Sequence, residues 1–499
     1  MIAPALILMF SFIALFASSF ASAADTSKAS EKLNNQSPLV RKEGVFELGM
    51  MDDASAIPFL EKATKDPDPN VRAAAITAIY NVCIRIIARN VKSLMNDSDV
   101  AVKDDIITIV SDLNPAHFQE VYLKLAKDPE PVVRSRCIEA IAKTRIPSFA
   151  PLLREALDDY YEYTRTAAIY GLAFLGDKSS ALNIAKLLGD KNPDVRLAAI
   201  DALGMLENKE VLPFLTAVLN EKDEHIKTKA ITAIGKIKNP DSAKILVPLL
   251  SDQSAKIKIA ALGALSDIRN VSAIPAIGKL ITDENKSVRR NAILSLKSFS
   301  APEAVPFLIK AASDTEPFNR SSAITALAET LTGAQKNDEF LMILKNGAKD
   351  SDMTVRQSCA DSVGRMKDAS QFEILTQLII DPEVEVRSNA IDAMSALQDK
   401  RAVPYLVKAF DDPDILIKVS VVNAIVRIGD PSALATLRAA AKHSDPLVRK
   451  AGIVALGEMK DTGSKQILQE ALNDPVDEIR NLAKRALQQI EQEKNEGKR

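Results

Sequence analysis

Apolar and small residues recur along this chain at a helical spacing, and the spacing itself repeats. In DKNPDVRLAAIDALG, residues 190–204, Val195, Ala199, Ile200 and Leu203 stand at −1, +3, +4 and +7 from Arg196. That places them on one face of an amphipathic helix. The same pattern returns downstream around Lys227, in EKDEHIKTKAITAIG, and stands an equal distance upstream around Arg165, in DDYYEYTRTAAIYGLA. The basic slot is held in turn by Arg41, Arg72, Lys103, Arg134, Arg165, Arg196, Lys227, Lys258, Arg289, Arg320, Arg356, Arg387, Lys418, Arg449 and Arg480. Every step has the same length except that from Arg320 to Arg356, which is longer by five. A period of roughly 20–50 residues signals stacked repeats, each too small to bury its apolar face alone.

Within a unit the basic slot belongs to the second of two helices, helix B. The +3 slot is mostly small, as at Gly44, Ala75, Ala168, Ala199, Ala230, Ala261, Ala292, Ala323 and Ala390, so neighbouring helices can approach closely. Upstream, Pro58, Pro151, Pro213, Pro275, Pro306 and Pro404 all occupy slot −14. A proline inside a helix removes a hydrogen bond and bends the axis, which predicts a bent helix A. Ser, Asp or Asn takes slot −4 in ten repeats, as at Asp68, Asn192 and Asp445, and is expected to cap helix B. Pro69, Pro193 and Pro446 follow, at the first helical position.

Slot −6 is Asp in twelve repeats. Asp66, Asp128, Asp190 and Asp381, with Arg72, Arg134, Arg196 and Arg387, are therefore expected to form a structural charge ladder along the stack that fixes register between neighbouring repeats. The alternative is a basic stripe for phosphate. The recurring acid favours the ladder, and so does the near balance of 64 basic and 66 acidic side chains. Nucleic acid is not an expected partner.

Residues 1–23, MIAPALILMFSFIALFASSFASA, carry no charged side chain and end in Ala21-Ser22-Ala23. This is the pattern of a secretory signal peptide with a small-x-small cleavage site, although no basic residue leads it. Export, with a periplasmic location, is expected; a retained membrane anchor is the alternative. Ala24 follows, not Cys, which argues against a lipoprotein. No other stretch reads as long and apolar enough to cross a membrane. The expected organisation is repeats 1–10 over residues 24–332, an inserted loop at 333–337, repeats 11–15 over 338–491, and a polar tail at 492–499.

These units resemble the HEAT-repeat family, and more narrowly the short HEAT-like repeats of the phycobilin lyases. The resemblance covers about residues 26–490. It implies an all-α, right-handed α-solenoid of about fifteen helix pairs, with helix B on the concave side. It also implies a protein-binding scaffold or adaptor. Two enzymatic relatives find no support in the residues. Deoxyhypusine hydroxylase is similar in fold but needs His-Glu pairs to hold iron. The three histidines of this chain, His117, His225 and His443, are followed by Phe118, Ile226 and Ser444. For the phycobilin lyases, no residue stands out as a bilin ligand. A lyase-like enzyme or accessory factor stays as the alternative in a different class.

No catalytic, cofactor or metal constellation is visible: there is no CxxC, HExxH, phosphate loop, GxSxG or dinucleotide fingerprint. Cys83, Cys137 and Cys359 lie in separate repeats, and two of them fill the small +3 slot, so buried free thiols are expected. One stretch breaks the pattern. LDDYYEYTRTAAIYGLAFLGD, residues 157–177, holds four of the seven tyrosines, Tyr160, Tyr161, Tyr163 and Tyr170. Thr164 takes the slot usually held by Val or Ile. On helix B, slots +1, +5 and +9 should face away from the stack, and they carry Tyr170, Phe174, Leu197, Met205 and Ile259 where other repeats are mostly polar. These eight residues are the candidate surface for a protein or peptide partner; local packing is the competing explanation. The expected state is a non-enzymatic monomer.

Overall fold

Turn chemistry sets the helix ends. In this computed structural model, which describes residues 24–51, 54–113, 115–331 and 337–496, the Asp68 side chain accepts from the amides of Asn70 and Val71, and Asn192 and Asp445 cap their helices in the same way. Prolines 69, 193 and 446 follow within the first turn, where a missing amide leaves no bond unmade. At the other end, most helices B stop where slot +11 turns left-handed. Gly176 and Gly429 do so at φ 66° and 69°, but Arg145, Glu207, Arg269 and Gln398 do so at φ 50–54°. The reversal therefore does not require glycine in the slot.

All regular structure among the described residues is helical, and the chain is an all-α solenoid with fifteen helices B, from Pro38–Gly49 to Asp477–Glu496. It divides into two compact units, the first ending at Ala233 and the second beginning at Ile234. In the first unit the helix Glu162–Leu175 packs between Pro131–Thr144 and Pro193–Leu206. In the second, Met353–Met366 packs between Pro317–Thr330 and Val384–Leu397. The seams are made by the small and aliphatic slots: Ala168, Leu172, Ala199 and Leu203 have no exposed surface, nor do Ala323, Leu327 and Ala390. This apolar burial, repeated at each interface, supplies most of the stability.

Helix A differs from the expected bent helix. In the six proline-bearing repeats it begins with a 3-10 turn and continues as a short α segment. Ala54–Ala56 precedes Ile57–Ala63, Pro147–Phe149 precedes Ala150–Ala156, and Lys400–Ala402 precedes Val403–Ala409. All six prolines fall in the first turn of the α segment, not in an interior. The proline thus marks a restart of the α segment, which costs no hydrogen bond.

A second departure lies in repeats two and three. One helix, Pro69–Leu94, runs through what should be a helix B, a turn and a helix A. The intervening residues, Ile79 to Arg89, contain no Gly or Pro to stop it. Arg85 from this helix donates to the carbonyls of Gly49 and Met51, tying it to the end of the first helix B. Contrary to the sequence expectation, this helix is long and apolar enough to cross a membrane by length and composition. Its Val71, Ala75, Val82, Cys83, Ile87 and Val91 are instead buried in the protein core.

Residues 1–23 and 332–336, where the leader and most of the inserted loop are expected, lie outside the described residues. Asn337 caps the helix that follows, Asp338–Gly347, accepting from the Phe340 amide at 2.9 Å. The last helix continues to Glu496, into the stretch expected as a tail.

Candidate functional site

The basic slots come first, because they hold the turns from which the surface residues project. Arg134 is 8% exposed. Its Nη1 donates to the carbonyls of Asp128 and Pro129 in its own turn, at 2.7 and 3.0 Å. Its other edge reaches the Asp159 carboxylate in the turn of the next repeat, at 2.6 and 2.9 Å. The arrangement recurs. Arg41 pairs with Asp66, Lys103 with Asp128, Arg165 with Asp190, Arg289 with Asp314, Arg356 with Asp381, Arg387 with Asp412 and Arg449 with Asp474. Arg320 skips the insertion to reach Asp350 at 2.7 Å.

Each expected Asp and Arg of one turn therefore meets by a different bond from a simple ion pair. Arg72, Arg134, Arg196 and Arg387 donate to the backbone carbonyls of Asp66, Asp128, Asp190 and Asp381. Those four carboxylates take the base of the preceding repeat. Each Asp also accepts from the amide two places on, as Asp66 does from Asp68 at 2.9 Å. The hydrogen bond from Arg41 is the main reason the Asp66 carboxyl lies below its ordinary value of 3.8, and Arg449 does the same for Asp474. Burial pushes Asp159 upward, yet Arg134 and the Tyr161 amide hold it below the ordinary range. With their guanidinium groups committed to carboxylates and carbonyls, these bases do not form an open phosphate stripe. Among the rungs that form, Arg196 with Glu221 is the longest, at 3.9 Å and more exposed, and Arg72 and Lys227 make no ion pair with Asp97 and Asp252 among the described residues. Lys418 has no acid opposite it among the described residues, since His443 stands in that slot, and its Nζ donates to the Phe410 carbonyl at 2.7 Å.

The tyrosine-rich stretch sorts into three environments. Tyr160 is 68% exposed, but its ring lies under the Arg134 guanidinium, 4.9 Å from the centroid, so it covers the Arg134–Asp159 rung. Tyr161 and Tyr163 stand at the start of the helix, with ring centroids 5.2 Å apart and planes tilted by 53°. Tyr161 takes the cap position without capping with its side chain. Tyr170 and Phe174, one turn apart further along, have centroids 6.1 Å apart at 22°. Tyr170 is half-buried and Phe174 is 47% exposed, with the Arg145 guanidinium 5.9 Å from its ring. Burial raises the Tyr170 phenol pKa, and the charge of Asp201 adds to this. Asp201 is on the next helix B, where it pairs with Lys229 at 3.0 Å.

Leu197 is half-buried and Met205 is 45% exposed, both on that same neighbouring helix, Pro193–Leu206. The close approach of neighbouring helices here needs a glycine: a Cβ at Gly171 would lie 2.9 Å from that of Ala142. The structure thus brings Tyr170 and Phe174 together, and Tyr161 and Tyr163 together, on one helix. Ile259 is half-buried on Ala255–Ile268 in the second unit.

Thr164 sits beneath this stretch with no exposed surface, and its hydroxyl has no hydrogen-bond partner among the described residues. The equivalent residues Val133 and Val195 are fully apolar and equally buried. All three cysteines are free and buried. Burial pushes the Cys83 thiol up to about 11, and raises Cys137 and Cys359 further. Among the described residues no group of three or more His, Cys, Asp or Glu is placed to hold a metal ion.

One exposed apolar group escapes the sequence analysis. In the first repeat Leu39, Phe46 and Met50 are 77%, 67% and 64% exposed. They occupy slots −2, +5 and +9 from Arg41, as Tyr163, Tyr170 and Phe174 do from Arg165. The signal is present in the +5 and +9 slots, but the polar sequence just upstream makes the first repeat read as a plain cap.

No curated protein matches the chain. Among solved structures, it is similar to one in which Kap95p binding induces the switch loops of RanGDP to adopt the GTP-bound conformation. That similarity has a TM-score of 0.52 at 13% identity and covers 97% of this chain and 80% of the other. A Kap95:Nup1 complex gives a TM-score of 0.50 at 13% identity, with the same coverage. At such identity the likeness concerns the fold alone. The family model of HEAT repeats matches residues 26–83, 87–173, 180–266, 243–328, 341–418 and 403–488. With nearly its whole length accounted for in this way, the chain belongs to the HEAT-repeat family.

Proposed function

We propose that this chain is a non-enzymatic protein-binding scaffold, exported to the bacterial cell envelope, which holds a protein or peptide on its helix-B face at repeats five and six. The observation that carries this is the stacked pair Tyr170 and Phe174, with exposed Met205 in the same slot as Phe174 on the next helix B, in slots that are polar in most other repeats. Exposed aromatic side chains on a rigid scaffold offer large contact area at low entropic cost, and a flexible Met adapts to the partner's shape. The buried hydroxyl of Thr164 beneath them, without a partner among the described residues, fits a repeat in which stability has yielded to another demand. The solved structures it resembles pair Kap95 with a protein, RanGDP or Nup1, which favours a protein as the ligand of this chain. The slot −6 carboxylates follow the repeat and serve the turns, so they do not form a site of their own.

Affinity capture from an envelope extract tests this, comparing the wild type with a Tyr170→Ser, Phe174→Ser version of equal thermal stability. A partner retained by the wild type and lost by the variant is the expected result. The same partner on both would move the site elsewhere. The absence of a partner on either would reopen the lyase-like alternative. Sequencing the amino terminus of the exported protein separates a cleaved leader, with Ala24 first, from a membrane-anchored adaptor.

A further inference from the structure

We propose that the helix-B face of the first unit carries two apolar anchor points for one extended partner segment: Leu39, Phe46 and Met50 in repeat one, and Tyr163, Tyr170 and Phe174 in repeat five. This rests on the scaffold function proposed above and adds the form of the partner. Within each triad the members are separated by seven and then four positions. At 3.6 residues per turn, that keeps all three within about 20° of one line along the helix. Five of the six are exposed and Tyr170 is half-buried, so each triad is an apolar stripe left open by the described residues.

Between the stripes the same line of slots is mostly polar, with Val132 of repeat four, 48% exposed, as its apolar exception. Repeats two and three present exposed Thr77, Asn81, Thr108 and Asp112. An open groove of about 350 Å³ lies between the helices Val100–Asp112 and Pro131–Thr144. Two of its bases are already matched, Arg136 with Asp104 at 3.2 Å and Lys143 with Glu139 at 2.8 Å. Asp112 faces the same groove and makes no ion pair among the described residues. The groove therefore has room for one more cation, which the partner would bring.

The polar stretch also selects the backbone form of the occupant. The Thr77 and Thr108 hydroxyls donate to the Ala73 and Asp104 carbonyls, so with Asp112 they offer acceptors, and Asn81 adds an amide; a helix satisfies its own amides and gains little from such a row. An extended chain has those groups open and needs such a row. Four repeat steps of about 9 Å span roughly 36 Å, which takes about 11 extended residues. The partner segment thus has two apolar clusters separated by that length, with a Lys or Arg between them.

Selection from a random peptide library, about 20 residues long to span both anchors, on the purified full chain provides the probe. Fluorescence anisotropy of the best binder reads the affinity. The expected result is at least a tenfold loss with Phe46→Ser, Met50→Ser, and an equal or larger loss with Tyr170→Ser, Phe174→Ser. Shortening the peptide between its apolar clusters should abolish the response to the repeat-one changes only. Circular dichroism checks folding, and Leu39→Ser alone, at the most exposed position, gives a second test of repeat one. A selected peptide that responds to the repeat-five changes and ignores repeat one overturns the two-anchor inference and leaves the scaffold standing. If no peptide binds saturably, both fail. If the repeat-one changes alter only self-association of the chain, that stripe belongs to a second copy and the inference is overturned.

Discussion

Arg134 and Asp159, in the turns of successive repeats, form a two-bond pair, Nε to Oδ2 at 2.6 Å and Nη2 to Oδ1 at 2.9 Å. The remaining nitrogen of the same guanidinium holds the carbonyls of Asp128 and Pro129. One planar side chain thereby closes its own turn and fixes the next. An ammonium cannot copy this fork: Lys258 reaches Asp283 through a single contact at 2.7 Å.

Arg134→Met should therefore cost about 3 kcal/mol, because it strands a half-buried carboxylate and two carbonyls. Arg196→Met should cost about 1 kcal/mol or less. Its partner Glu221 is 3.9 Å away and the pair is more open to water. Hydrogen exchange of the flanking helices B checks both. Equal effects would mean that the rungs do not hold the turns.

Acid should loosen the stack. The Asp66, Asp159 and Asp474 carboxyls titrate below 3.8 when folded, so they bind protons less readily than in the unfolded chain. Their contribution is complete above the ordinary Asp range and is lost as the pH falls through the lowered folded values. Thermal unfolding should be nearly constant from about pH 7 to 5 and fall steeply below about 4. In Arg134→Met the fall should be shallower, because Asp159 loses the partner that lowers it.

Thr164→Val should raise stability by about 1 kcal/mol, since it removes a buried hydroxyl with no hydrogen-bond partner among the described residues. A urea titration reads it. A loss of stability would show that the hydroxyl has a partner in solution. If the tyrosine-rich surface is functional, the same variant should keep its binding.

None of the three thiols should react with an exposed-thiol reagent in the native protein, and all three should react together on unfolding. Burial raises each of them, Cys83 to about 11, so little thiolate forms near neutral pH. Labelling of Cys83 alone under native conditions would mark local opening of the long helix Pro69–Leu94.

The repeat, its helical content and the seam residues are legible in the sequence because they depend on local spacing. Val195, Ala199, Ile200 and Leu203 fall on one face by that spacing, and all four are buried completely. The acid and base of the ladder stand out as a set, but their partners do not, because a carboxylate and a guanidinium in one turn read as the nearest pair. Only the stacking distance shows that the carboxylate faces the preceding repeat. The proline likewise signals a break in helix A, while its place after a 3-10 turn depends on backbone geometry.

Short-range periodicity alone dictates an all-α repeat of constant step, the capping of its helices and the burial of its cysteines. Stacking decides the rest: which turn each charge ties, that repeats two and three share one helix, and which aromatic rings meet. It also leaves Leu39, Phe46 and Met50 uncovered by the other described residues. Exposure and ring contact depend on what the neighbouring repeat places opposite, and the chain that runs between two such positions carries no direct record of that.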